Sequence, residues 1–185
     1  MTPAVFTGAW QRQGLVIDGE NKREPGAVVW VQVGDSYADI RTPLAPGPLG
    51  RSPMLSGPGA FAGTTTYGDD YLTWHHEIDC PPLSGVEQAP IDIGHITWVD
   101  QDIIERGSFT VQGNTTSYEE RWCPMPGGSS GPTLVLTPTS GEGLAVRSGS
   151  HLVAVVPAEA ETPDRWVALQ LHLDDDEWSV VAQLG

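Results

Sequence analysis

No part of this sequence sustains an apolar repeat at helical spacing. Glycine and proline instead cut it, every few residues, into short runs rich in β-branched and aromatic side chains. The chain holds 22 glycines and 16 prolines in 185 residues, which leaves little room for anything but strands and tight turns. The pattern predicts extended runs over 27–33, 37–41, 60–66, 71–79, 91–99, 103–112 and 115–123, and further ones over 133–137, 151–156, 165–173 and 177–184. Turns are expected at Gly34-Asp35, Asp100-Gln101-Asp102, Gly113-Asn114 and the acidic connection Asp174-Asp175-Asp176-Glu177. Residues 42–59 hold too many prolines and glycines for a ladder and read as a long loop, in a position to cover a site. Short, evenly spaced strands with hairpin turns make an all-β protein, an antiparallel up-and-down barrel of about 8–12 strands. Closed at eight to ten strands, such a barrel encloses a cavity for one small molecule.

A chain of this length suits one domain spanning 1–185, burying roughly 70% of its unfolded surface. Its 24 acidic residues outweigh 9 lysines and arginines, for a net charge of −15. That balance repels phosphate backbones and anionic membranes, so neither nucleic acid nor membrane is an expected partner. The N-terminus lacks a basic segment followed by an apolar run, and no stretch approaches the roughly 18 apolar residues of a spanning helix. The expectation is a soluble cytoplasmic protein, monomer or homodimer, with Cys80 and Cys123 reduced. His75 and His76 are adjacent, so their side chains diverge across the sheet, and no metal or other cofactor is expected.

Two stretches carry candidate chemistry. In 71–79 a period of two puts Leu72, Trp74, His76 and Ile78 on one face and His75, Glu77 and Asp79 on a solvated one. His76 is then the ionisable group aimed at an apolar interior. In the hairpin over 103–123, a turn on Gly113-Asn114 sets Phe109 opposite Tyr118, Gly107 opposite Glu120 and Glu105 opposite Trp122. Glu105 and Glu120 then share a face with Ile103, Phe109, Tyr118 and Trp122, where an unpaired carboxylate costs several kcal/mol. Asp39 and Arg41, two apart on one strand, form a third component or a surface ion pair.

Gly8-Ala9-Trp10 resembles the Gly-x-Trp signature of the lipocalins and the wider calycin group. The resemblance implies an up-and-down barrel with a ligand cavity and an arginine packed over the tryptophan, for which Arg121 and Arg165 are the candidates. The runs Trp30-Val31-Gln32, Tyr37-Ala38-Asp39-Ile40-Arg41, Phe61-Ala62-Gly63 and Leu72 to Asp79 resemble an uncharacterised lipocalin-like bacterial family with fungal relatives, over roughly residues 8 to 122. That family implies the same barrel and brings no established chemistry. The glycine-rich N-terminal pattern of haem-binding calycins is absent.

The leading expectation is a barrel that binds a small, largely apolar organic molecule. Trp10, Trp30, Trp74, Trp98 and Trp122 would wall it, beside Glu105 and Tyr118, with Glu120, His76, Asp39 or Arg41 orienting a polar group. The alternative is a cofactor-free cyclase, isomerase or dehydratase in which His76 and Glu120 serve as general base and acid. A cavity packed solid with tryptophan would leave a structural role.

Overall fold

The computed structural model describes residues 2–23, 26–43, 59–80, 92–111, 113–139, 142–157 and 166–184. A 3-10 turn, Pro3–Val5, leads into β1 (Gly8–Ile17), β2 (Glu20–Lys22), β3 (Gly26–Val33), β4 (Ser36–Pro43) and β5 (Gly59–Tyr67). Then come β6 (Tyr71–Cys80), β7 (Asp92–Val99), β8 (Asp102–Val111) and β9 (Asn114–Pro124). The remaining strands are β10 (Thr133–Leu136), β11 (Leu144–Ser148), β12 (His151–Val156), β13 (Val167–Asp174) and β14 (Glu177–Leu184). Among the described residues no helix is long and apolar enough to cross a membrane.

All pairings are antiparallel. The first sheet runs β2-β1-β3-β4-β5-β6-β7-β8-β9, and β1 also pairs with β9, so eight strands close a barrel with β2 appended. Closure removes the open edges a sheet of this size would otherwise expose. The expected all-β, up-and-down barrel is the one observed. Not all the strands enter it: β10 to β14 form a separate five-stranded meander that packs against the outside of β3 and β4.

Apart from the hairpin expected on Gly113-Asn114, the expected turns fall where the sequence put them. Gly34 and Asp100 take positive φ at the β3–β4 and β7–β8 turns, and Asp175 and Asp176 both do so in the β13–β14 hairpin. Asp18 and Gly19 form the same kind of turn between β1 and β2. The loop expected over 42–59 begins later than that, because Thr42 and Pro43 still pair with Ala27 and Gly26. Its body, 44–58, lies outside the described residues, as do Ile91, Arg165 and any lid.

Alternation along β3 and β4 divides two cores. Val29, Val31, Ala38 and Ile40 point outward into a seam with Val146, Val153, Val155 and Ala168 of the second sheet. Trp30 and Tyr37 point into the barrel with Trp10, Leu72, Trp74, Ile103 and Trp122. In β13 the seam takes Ala168 and Gln170, which are buried. The cleaner apolar series Val167, Leu169, Leu171 and Leu173 shares the opposite face, because the β12 residues paired with Ala168 and Gln170, Val155 and Val153, are the ones turned to the barrel. Cys80 and Cys123 are both free thiols.

Candidate functional site

One part of the barrel interior is a plug of aromatic rings centred on Trp30. Its ring stacks on Trp10 at 6.0 Å and meets Trp74 and Trp122 edge-on at 5.8 and 5.6 Å. Phe6, which ends the 3-10 turn, fits against Trp30, Tyr67 and Trp98. The polar atoms here are satisfied: Trp10 Nε1 donates to the Phe6 carbonyl, and Trp30 Nε1 and Thr65 Oγ1 both donate to Gln32 Oε1. This part is packed core.

The other part opens into a pocket of about 470 Å³ including its mouth. The free space inside it is narrow, suited to a small group. Its apolar walls are Trp30, Trp74, Trp122, Phe61 and Phe109. Its polar lining consists of Tyr37, Asp39, Arg41, Asp92, Glu105 and Glu120, with Tyr118 beside them. Arg12 Nη1 donates to Glu120 Oε1 at 2.5 Å, and both side chains are almost wholly buried. Arg41 Nε donates to Asp39 Oδ1 at 2.9 Å, and its guanidinium lies over the Phe61 ring. Glu105 accepts from two neutral donors, Tyr118 OH at 2.9 Å and Trp122 Nε1 at 3.0 Å. His76 stacks on Phe61 at 4.3 Å and sets Nδ1 against Asp79 (2.8 Å) and Nε2 against Asp92 (3.2 Å).

Glycines make the room for this lining. A β-carbon on Gly63 would lie 2.0 Å from the His75 carbonyl oxygen, so only glycine permits the bulge there. The bulge shifts register between Ala62 and Gly63 and breaks the alternation of β6 after His76. Asp79, paired with Phe61, turns inward to His76, and Ile78 turns out to the seam. The expected placement of Ile78 inside and Asp79 in solvent is therefore reversed. Gly94 and Gly107 leave the space filled by the Glu105 carboxyl and the Tyr118 phenol, which a β-carbon at either would strike.

Hydrogen bonding and burial set the protonation states. Burial, reinforced by Glu120 and Asp92, pushes the Glu105 carboxyl well above the usual range, and its two donors only partly oppose this. Glu120 and Asp39 are also raised by burial, against the pull of Arg12 and Arg41 on the first and of Arg41 on the second. For His76, burial disfavours the imidazolium, but the bonds to Asp79 and Asp92 outweigh it and lift the ring to about 9. Burial and the nearby Asp92 and Asp39 raise Tyr37, which stays a neutral phenol. Its hydroxyl is fully buried and has no hydrogen-bond partner among the described residues.

Of the residues expected at a site, Trp30, Asp39, Arg41, Trp74, Glu105, Glu120 and Trp122 line the pocket and Tyr118 reaches it. His76 reaches it through Asp92 and Phe61. Trp98 does not: it is 38% exposed and packs on Phe6 and Trp10. Arg121 points outward to Asp102, with its side chain 59% exposed, so it is not the arginine over the tryptophan. The hairpin register also differs. Val111 pairs with Asn114, so Glu105 faces Glu120, Gly107 faces Tyr118, Phe109 faces Thr116 and Ile103 faces Trp122. A turn centred one residue earlier slides the partners by two and leaves the faces unchanged.

Sequence reasoning missed Arg12, Tyr37, Phe61, Asp79 and Asp92. Two of these had a signal: Arg12 follows Trp10 by two in one strand, and Tyr37 precedes Asp39 and Arg41 by the same step.

The sequence matches the family model for protein HRI1 over residues 9–185, so the chain belongs to the HRI1 family. No match to it was found among the curated proteins or among the solved structures. The family match extends from the first barrel strand through the whole second sheet.

Proposed function

We propose that this HRI1-family barrel binds a small organic molecule, with the ligand's polar group among the buried charged side chains of the pocket and its apolar body against Trp74, Trp122 and Phe61. The observation that carries the reading is the concentration of buried ionisable groups around a partly open space, in a barrel otherwise filled by aromatic rings. Buried carboxyls, guanidinia and an imidazole are costly to retain, and the aliphatic seam shows that the same strands build a core without them. A ligand with polar atoms to match would offset that cost. We take Trp30, Asp39, Arg41, Trp74, Glu105, Tyr118, Glu120 and Trp122 as the binding residues, and the two sheets as one folding unit. The free thiols suit a reducing compartment, the cytoplasm.

Native mass spectrometry of the freshly purified protein tests this. A bound mass that is released on denaturation, and lost in Glu120→Ala with the fold intact, is the expected result. An empty protein whose tryptophan fluorescence no small-molecule panel perturbs would refute it.

A cofactor-free isomerase or cyclase is the second reading, favoured by two carboxyls with raised pKa facing each other across β8 and β9. The roles then differ from those first expected. His76 has both ring nitrogens engaged and is a fixed positive charge rather than a base, and Glu105 is the proton donor, with Glu120 its partner.

A further inference from the structure

Among the described residues, the charges around the pocket do not cancel. Arg12 holds Glu120, Arg41 holds Asp39, and the single imidazole of His76 is shared by Asp79 and Asp92. Glu105 has no cationic partner among the described residues and is bound by a phenol and an indole alone. At or behind this lining, five described carboxyls (Asp39, Asp79, Asp92, Glu105 and Glu120) thus meet three cations (Arg12, Arg41 and His76), and the walls include indole and phenyl rings whose faces attract positive charge. Tyr37 also lines this space, and its buried hydroxyl, which has no partner among the described residues, is able to accept a hydrogen bond.

From this we infer that the pocket takes an organic ammonium ion, a compact amine carried on an aromatic or aliphatic body, with Glu105 as the carboxylate that receives it. The inference rests on the binding reading above and names the class of its ligand. A protonated amine head is about the size of a water molecule, which suits the narrow free space, and it brings several N–H donors to an oxygen-rich lining. An anion would meet Glu105, Asp92 and Glu120, with the described guanidinia nearby, Arg12 and Arg41, already engaged. A neutral alcohol would leave Glu105 to keep its proton. The ammonium instead displaces that proton, which leaves to solvent as the ligand enters, so charge is conserved within the pocket. Affinity therefore rises with pH until the amine itself loses its proton.

Three probes with one ring separate the possibilities: 2-phenylethylammonium, 2-phenylethanol and phenylacetate, each titrated into the full-length protein with tryptophan fluorescence and calorimetry as readouts. The expected result is ammonium bound at least tenfold more tightly than the alcohol, phenylacetate weakest, and proton release seen as a dependence of the binding heat on buffer. Glu105→Gln should bring ammonium and alcohol within about threefold of each other while the alcohol still binds, and Tyr37→Phe should weaken the ammonium alone. Equal affinities, or a preference for the alcohol or phenylacetate in the wild-type protein, would overturn the ammonium assignment and leave the binding pocket standing. Failure of all three probes would remove both.

Discussion

The two faces of β3 and β4 build two different interiors from the same strands. Toward the second sheet, Val29, Val31, Ala38 and Ile40 meet Val146, Val153 and Val155 in a seam of small aliphatic side chains. Toward the barrel axis, Trp30, Tyr37, Asp39 and Arg41 meet other tryptophans and a set of buried charges. The seam gains its stability from close packing and surface removed from water, terms that do not titrate. The barrel interior gains much of its own from pairings that fail if one partner is lost. One side of each strand therefore serves adhesion, and the other carries the buried charges that line the pocket.

The contrast is sharpest at Arg12. Replacing it by methionine strands Glu120 inside the barrel, and the expected loss is about 3–5 kcal/mol by chemical denaturation at pH 7. In an Arg12→Met, Glu120→Gln double variant most of that loss should return. If it does not, Arg12 contributes by packing and the interior resembles the seam. Ile40→Ala, in the seam, should cost about 2–5 kcal/mol as a cavity variant, and by the same amount at pH 5 and pH 9. A pH-dependent cost there would erase the distinction.

Titration gives the next test. His76 is lifted to about 9 in the folded protein from 6.5, so its contribution is complete below about pH 6.5 and is lost as pH rises toward 9. The size is up to about 3 kcal/mol, and His76→Gln should flatten the stability profile over that window. The raised carboxyls act at lower pH with the same sign. The folded state holds their protons more tightly, so their contribution is present below about pH 4.5 and lost as they ionise. The smallest effect belongs to Glu105→Gln. It should stabilise the unliganded protein by about 1 kcal/mol at neutral pH, because folding must protonate a Glu105 that is ionised in the unfolded chain, whereas the amide carries no such cost and still bonds a rotated Tyr118 hydroxyl and the Trp122 indole. A loss of stability would mean that Glu105 is held ionised in the empty barrel.

Much of this interior can be read along single strands. The alternation of Tyr37, Asp39 and Arg41 against Ala38 and Ile40, and of Glu105 and Glu120 onto the face of Tyr118 and Trp122, holds in the structure because a period of two is local geometry. It survived even the misplaced hairpin turn, since a slide by two residues exchanges partners without exchanging faces. It failed on β6 because a bulge adds one residue to one strand, and the steric demand for it comes from Gly63 on the neighbouring strand. The apolar series of β13 misled for a related reason. Both faces of that strand carry apolar residues, and the location of the barrel decides which is buried.

The sequence by itself determined the class of the fold, most of the turns and the inward residues of most strands, β6 and β13 excepted, because backbone sterics and alternation act within a few residues. Only the tertiary structure decided which strands close the barrel and which stand outside it as a second sheet. It also decided the partners: β1 pairing with β9 brings Arg12 to Glu120 across 108 residues, and β6 and β7 bring His76 between Asp79 and Asp92. Such encounters depend on the closure of the sheet, a property of the whole chain that no single strand encodes.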